Sequence, residues 1–260
     1  MSRLHLFEIH DQPWCPPSLR DALTDFLQFA INLGGTYDAV VPMLRDAIAR
    51  AGATQVVDLC SGAGGPWRAW LREAPGMAAR EPRGMAPGFD VPVVLTDKYP
   101  NRLAESGALP FHSVPVDATA VPADLTGFRT LFTSFHHFRP AEARAILGDA
   151  VRQRQGIGVF EISRRALPEM AVIALTWLAV LVFVPFIRPI RWSRLAWTYL
   201  PPVLPLVGAF DGVVSCVRTY SPAELRELLH GLDTYDWQVG ETRSRWSPLV
   251  VTYLVGVPKG

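Results

Sequence analysis

The chain has only three cysteines in 260 residues, Cys15, Cys60 and Cys216, odd in number and widely scattered. That excludes a disulfide framework and any cysteine-based metal-ligand spacing, and it fits a reducing compartment. Charge is scarce as well: Asp, Glu, Lys and Arg make up 19% of the residues, below the roughly 25% usual in soluble domains. The 25 basic and 24 acidic residues leave a net charge of +1, which excludes nucleic-acid binding driven by bulk electrostatics. The opening residues Met-Ser-Arg-Leu-His-Leu-Phe-Glu lack an apolar signal core, and acids follow at Glu8 and Asp11, so the expected start is cytoplasmic. Apolar character is what the chain has in quantity. Hydrophobic residues reach 49%, which excludes disorder and supports one large domain, or one domain carrying an insertion.

Periodicity gives the organisation. Leu19, Ala22, Leu23, Phe26, Leu27, Ala30 and Ile31 recur at helical spacing, ended by Gly34-Gly35, and a second helix follows with Val40, Val41, Leu44 and Ile48 on one side. Short apolar runs at Thr54–Leu59, Val91–Thr96, Phe111–Val116, Arg129–Ser134 and Gly156–Ile162 then read as strands separated by helical segments or loops. That alternation predicts a parallel sheet covered on both faces. Pro140 opens a helix whose inner face is Ala143, Ile146, Leu147, Ala150 and Val151, and Ala74–Asp90 reads as a long Gly/Pro-rich surface loop. Toward the end, Gly212–Thr219 reads as a strand, and Ser221-Pro222-Ala223-Glu224 as a capping box. Tyr235, Trp237 and Val239 with Leu249–Val257 read as a closing hairpin around Arg243–Ser247.

The densest chemical signal is Val56-Val57-Asp58-Leu59-Cys60-Ser61-Gly62-Ala63-Gly64-Gly65-Pro66-Trp67, a strand running into a glycine-rich turn and a helix. Such a turn lets a ligand approach backbone amides at a helix start; the plain alternative is a tight strand-to-helix connection. Acids at the ends of the next two strands, Asp97 and Asp117, add to the first reading. A dinucleotide fingerprint fits poorly, because aligning Gly62 and Gly64 puts Trp67 at the third glycine, where close packing needs no side chain.

In these residues the chain resembles the class I S-adenosylmethionine-dependent methyltransferases, over about Thr36 to Val257 apart from an apolar insertion. Asp58, Gly62 and Gly64 match the family's first motif, with Cys60 at its first glycine and Ser61 beside it. The resemblance implies S-adenosylmethionine as cofactor, with Asp97 and neighbouring Lys98 at the ribose and Asp117-Ala118 at the adenine. Tyr37 is placed to reach the cofactor carboxylate, with core packing as the alternative, and Ser134 closes the site at the fourth strand. The fourth strand leads into Ser134-Phe135-His136-His137 and lacks the Asn-Pro-Pro-Tyr of amino methyltransferases of DNA and protein amides. His136, His137 and Glu161 are the catalytic candidates, needed if the acceptor must lose a proton; Glu161 is equally readable as a structural acid paired with an arginine. The implied fold is α/β: a Rossmann-like, seven-stranded, mostly parallel sheet with an antiparallel C-terminal hairpin, helices on both faces and a hydrophobic helical insertion.

Met170–Ile187 is a run of 18 uncharged residues and Leu195–Phe210 one of 16. The first has the length of a membrane span; the second is short and holds Pro201, Pro202 and Pro205. A spanning hairpin would carry Arg188, Arg191 and Arg194 across, against the positive-inside tendency. With Trp192, Trp197 and Tyr199 alongside, the stretch reads as an interfacial or re-entrant anchor at the cytoplasmic membrane face, or otherwise as an apolar lid or dimer face. The expected organisation is N-terminal helices on the cofactor domain (1–53), a cofactor-binding core (54–165), the insertion (166–211) and strands completing the sheet (212–260). The expected activity is methylation of a lipophilic small molecule, at oxygen or carbon, with membrane contact through 170–210 and no metal or nucleic acid. The alternatives are a membrane-anchored domain that holds the cofactor without turnover, and a nicotinamide-dependent reductase.

Overall fold

Fully buried Val56 and Val57 start the sheet, because β1 (Val56–Asp58) lies between two parallel neighbours, β2 (Val93–Leu95) and β3 (Phe128–Phe132). The computed structural model describes residues 2–72, 89, 91–99, 110–245 and 247–260. β4 (Ile157–Glu161) continues the parallel set, and β6 (Val250–Pro258) and β5 (Tyr235–Arg243) close it antiparallel, in the order β2-β1-β3-β4-β6-β5. The expected α/β sheet with its C-terminal hairpin is therefore present.

Two expected strands are corrected. The sheet has six strands among the described residues, and the run Phe111–Val116 is reduced to one parallel bridge between Phe111 and Leu95. Pro110 precedes that run and Pro115 lies within it, and neither has an N–H to continue a ladder. Gly212–Thr219 is no strand either: residues 212–218 are the last turns of a helix, α8 (Val203–Arg218). Its buried positions Leu204, Val207, Gly208, Asp211, Val214 and Arg218 keep a three-four spacing throughout, which overrides the β-branched character of Val213, Val214 and Val217. A side chain at Gly212 would collide with Ile173, so this glycine admits the close approach of the helix Leu167–Ala174.

Helices α2 (Val41–Arg50) and α3 (Trp67–Arg72) join one face of the sheet, where Leu44, Ile48, Trp67 and Trp70 meet Phe132, Phe160 and Val255. On the other face, α4 (Pro140–Arg152) and α9 (Pro222–Leu228) contribute Ile146, Leu147, Leu225 and Leu228. The capping box of α9 is present, with the Ser221 N–H donating to Glu224 and the Glu224 N–H to the Ser221 hydroxyl. The loop read over Ala74–Asp90 lies almost wholly outside the described residues; Phe89 within it is buried against Trp67 and Trp70.

The insertion folds as α5 (Leu167–Ala174), α6 (Thr176–Phe183), α7 (Trp192–Tyr199) and α8. It builds a third core with α1 (Pro17–Asn32), in which Leu19, Leu23 and Phe26 pack on Val180, Val184, Leu204 and Val207. α1 thus lies with the insertion, while α2 lies on the sheet. Arg194 is buried, donates to the carbonyls of Ile187 and Pro189, and is ion-paired with Asp25 of α1, which also meets Arg191.

Candidate active site

The C-terminal ends of β1, β2 and β3 meet around the glycine turn. Cys60, Gly62, Gly64 and Gly65 all have positive φ, between 46° and 96°. Glycine takes this conformation freely; Cys60, at φ 54°, holds it with a side chain, which costs about 1–3 kcal/mol. Ser61 ties the turn down: its N–H donates to the Thr96 carbonyl, and its hydroxyl donates to the Asp58 carbonyl and accepts from the Thr96 N–H. The turn is thereby fixed to the end of β2, where Asp97 follows.

Asp97 joins the two motifs. One carboxylate oxygen accepts the Gly62 N–H and the other the Tyr99 N–H, both at 2.9 Å. Burial holds its carboxyl above the ordinary range, and the amides of Tyr99 and Gly62 work against that shift. Beside it, Asp117 pairs with Lys98 at 2.8 Å and accepts from the Thr119 N–H and hydroxyl, so its pKa falls to about 2. The Val116 N–H donates to the Asp97 carbonyl, which fixes Asp117-Ala118 next to Asp97. Burial pushes the Cys60 thiol well up, and Asp97, Asp58 and Asp117 push it further in the same direction. All three acids thus lie within electrostatic reach of Cys60, but only Asp97 and Asp117 stand together at the turn's outer side.

Asp58 faces inward. Its carboxylate is 1% exposed and accepts from Trp67 Nε1 at 3.1 Å and the Thr130 hydroxyl at 2.6 Å, and burial raises its pKa to about 6. Trp67, at the position a dinucleotide site would give to glycine, is fully buried and supplies that bond. Tyr37 is buried, with its hydroxyl on Thr133 and on the Phe160 carbonyl. Thr133 itself has φ 48°, so backbone strain gathers at the ends of both β1 and β3. Ser134 is 7% exposed and its hydroxyl has no hydrogen-bond partner.

The histidine pair divides. Glu161 Oε1 accepts the N–H groups of Ser134, Phe135 and His136 at 3.0, 2.6 and 3.3 Å, and its Oε2 meets His136 Nδ1 at 2.7 Å. Glu161 therefore holds the turn Phe135–His137, and its ionic partner is His136 where the sequence pointed to an arginine. His136 is 1% exposed; burial disfavours its charge, but Glu161 and Glu8 outweigh that and hold it above its ordinary value. His137 keeps 24% of its side chain exposed and meets Asp11 at 2.9 Å. Burial and the neighbouring His136 lower its pKa.

Around His137 stand residues that sequence reasoning passed over: Glu8, His10 and Asp11 of the N-terminal segment, and Asp211 and Arg218 of α8. Only the fold brings them together, since Asp11 and His137 are 126 positions apart.

No protein-family model matches the chain, and no curated protein does. Among solved structures it is similar to TnmH, at 15% identity and a TM-score of 0.49, covering 92% of this chain and 58% of that one. It is similar to human N-acetylserotonin methyltransferase in complex with SAM, at 13% identity and 0.49, covering 93% and 57%. A third is magnesium protoporphyrin IX methyltransferase from Synechocystis PCC 6803 with bound SAH, at 12% identity and 0.43, covering 96% and 91%. The chain thus spans a little over half the length of the first two. These likenesses are loose, and the architecture stands on the chain's own strand order. A parallel β2-β1-β3-β4 sheet closed by the antiparallel β6-β5 pair, with a glycine turn after β1 bonded to the acid after β2, is the Rossmann-like α/β fold that the sequence resemblance implied.

Proposed function

We propose that the chain transfers a methyl group from S-adenosylmethionine to a lipophilic small molecule, at oxygen or carbon, beside a membrane surface. The observation that carries this reading is the Gly62–Asp97 hydrogen bond, which joins the glycine turn to the second acid. The residues present fit the cofactor. A carboxylate offers about four acceptor directions; the amides of Gly62, Tyr99 and Lys98 take part of that capacity on Asp97 and leave the rest for the ribose. Asp117 and Ala118 stand beside it for the adenine edge, and the partnerless Ser134 hydroxyl offers a polar contact at the end of β3. Cys60, Ser61, Gly62 and Gly64 would supply the backbone approach, with Lys98 at the rim; Asp58 supports the turn from beneath, and Tyr37 holds the end of β3 in place through Thr133.

The cofactor, when bound, supplies an activated sulfonium methyl, so the chain's task is to align the acceptor and exclude water. Where the acceptor is a hydroxyl or an acidic carbon, a base is also needed. Of the three candidates, His137 has the exposure to meet an acceptor, and its lowered pKa keeps the imidazole neutral and able to take a proton. Glu161 and His136 position it through the Phe135–His137 turn.

The lipophilic acceptor and the membrane are supported by the insertion's outer face. Within the 20-residue stretch Leu167–Phe186 an 18-residue window has a mean hydropathy of 2.2 and is 17% buried, and Leu175, Val182, Phe186 and Trp192 are exposed along it and beyond. α7 and α8 meet at 79°, and the buried Arg194–Asp25 pair ties α7 to α1, which favours an interfacial anchor over a spanning hairpin. Incubating the chain with methyl-labelled S-adenosylmethionine and a membrane lipid extract tests the reading: label should enter an organic-soluble product, and none should appear with a His137→Ala variant that still binds the cofactor. Cofactor binding with no transfer to any extract would favour a binding protein instead.

A further inference from the structure

We infer that Glu8, His10, Asp11 and His137 form a binding site for a divalent first-row transition-metal ion. One ligand atom from each of the four lies within 4.8 Å of all the others. Glu8 is fully buried, and its Oε2 has no hydrogen-bond partner. A buried carboxylate oxygen left unpaired is costly and calls for a cation. This oxygen stands 3.7 Å from His137 Nδ1. That is too long for hydrogen bonds and close to the spacing of about 3.3–3.6 Å between two donors that share a tetrahedral ion at 2.0–2.2 Å.

The surroundings complete the pattern. Asp211 meets His10 Nδ1 at 2.9 Å, which turns the Nε2 lone pair toward Asp11 Oδ1, 3.5 Å away. A carboxylate that orients a histidine from behind is the usual support of a metal-bound imidazole. Arg218 takes the other oxygens, Glu8 Oε1 at 3.2 Å and Asp11 Oδ2 at 3.3 Å, and leaves Glu8 Oε2 and Asp11 Oδ1 for the ion. His137 Nδ1 now meets Asp11 Oδ2 at 2.9 Å; on ion uptake the neutral imidazole carries its proton on Nε2 and leaves Nδ1 for the ion. Two imidazoles with two carboxylates select Zn2+, Co2+, Mn2+ or Fe2+ over Mg2+ and Ca2+, which prefer all-oxygen sites. Asp11 is exposed and His137 partly so, which gives an ion access to the cluster from solvent. The inference stands on the cluster alone and does not depend on the proposed methyl transfer; with the ion on Nδ1, His137 carries its proton on Nε2 and is no base, so the ion-bound state is distinct from the metal-free state read above for proton abstraction.

The test is calorimetric titration of the chelator-treated, untagged full chain with Zn2+ and with Co2+, and with Mg2+ as control. One ion per chain is expected, with micromolar or tighter affinity for Zn2+ and Co2+ and no saturable Mg2+ binding. Glu8→Gln and His10→Gln, each checked for native circular dichroism, should weaken Zn2+ at least tenfold, and Asp211→Asn about tenfold through loss of orientation. Absence of stoichiometric Zn2+ and Co2+ binding by the native chain would overturn the site. So would undiminished binding in both folded ligand variants, which would place the ion elsewhere.

Discussion

Replacing Glu161 tests how the acceptor end of the site is held. In Glu161→Ala, three backbone N–H groups lose the single oxygen they share, and the buried His136 imidazole loses its partner at 2.7 Å. Hydrogen bonds to a charged acceptor contribute about 1.5–3 kcal/mol each, though bonds sharing one oxygen do not add. Removing one member of a buried ion pair costs about 3–5 kcal/mol in total. That is a large part of the roughly 5–15 kcal/mol that stabilises a typical domain. Glu161→Gln keeps an oxygen for the three amides and presents its NH2 to His136, whose neutral imidazole can accept; the loss should be about 1–2 kcal/mol. Urea unfolding with an unchanged m-value separates the two, and amide exchange at Ser134, Phe135 and His136 should quicken more in the Ala variant. An Ala variant within about 1 kcal/mol of the native chain, or equal to the Gln variant, would refute the structural role of Glu161.

The other expectations are quickly stated. Asp58 has a pKa of about 6 in the fold against an ordinary 3.8. The native state therefore binds the extra proton, and stability relative to Asp58→Asn should rise by about 3 kcal/mol as pH falls from above 6 to below 3.8; a pH-independent difference would contradict this. Cys60→Gly relieves a positive φ at the cost of chain entropy, so thermal unfolding should show a change between zero and about 1 kcal/mol of stabilisation. Loss above 1 kcal/mol would mean the thiol packs more than it strains. In liposome flotation, the native chain should rise with anionic vesicles, and Leu178→Asp with Val182→Asp should leave it in the lower fraction. A native chain that stays at the bottom would return the insertion to the role of a lid.

Much of the fold could be read locally. Val56-Val57 running into alternating glycines, Pro140 opening a helix and Ser221 with Glu224 closing a box are short-range patterns whose physics lies within a few residues. The errors came where distance decides. Gly212–Thr219 is β-branched enough to read as a strand, and only the burial spacing carried through from Leu204 marks it as helix. Phe111–Val116 is apolar enough to read as a strand, but Pro110 before it and Pro115 within it leave only one bridge. Asp58 lies at the motif's position, yet its carboxylate serves Trp67 and Thr130 inside the core, which no spacing reveals. The cluster of Glu8, His10, Asp11 and His137 was illegible for the same reason: its parts have no pattern until α1 and α8 bring the N-terminal segment over the ends of β3 and β4.

The most direct measurement is calorimetric titration of the native chain and of Asp97→Ala with S-adenosylmethionine. One equivalent should bind the native chain, and the variant should bind more weakly by about 1–3 kcal/mol, the contribution of hydrogen bonds to a charged acceptor. No saturable binding by the native chain, or equal affinity in the two, would contradict a cofactor site built on the Gly62–Asp97 junction.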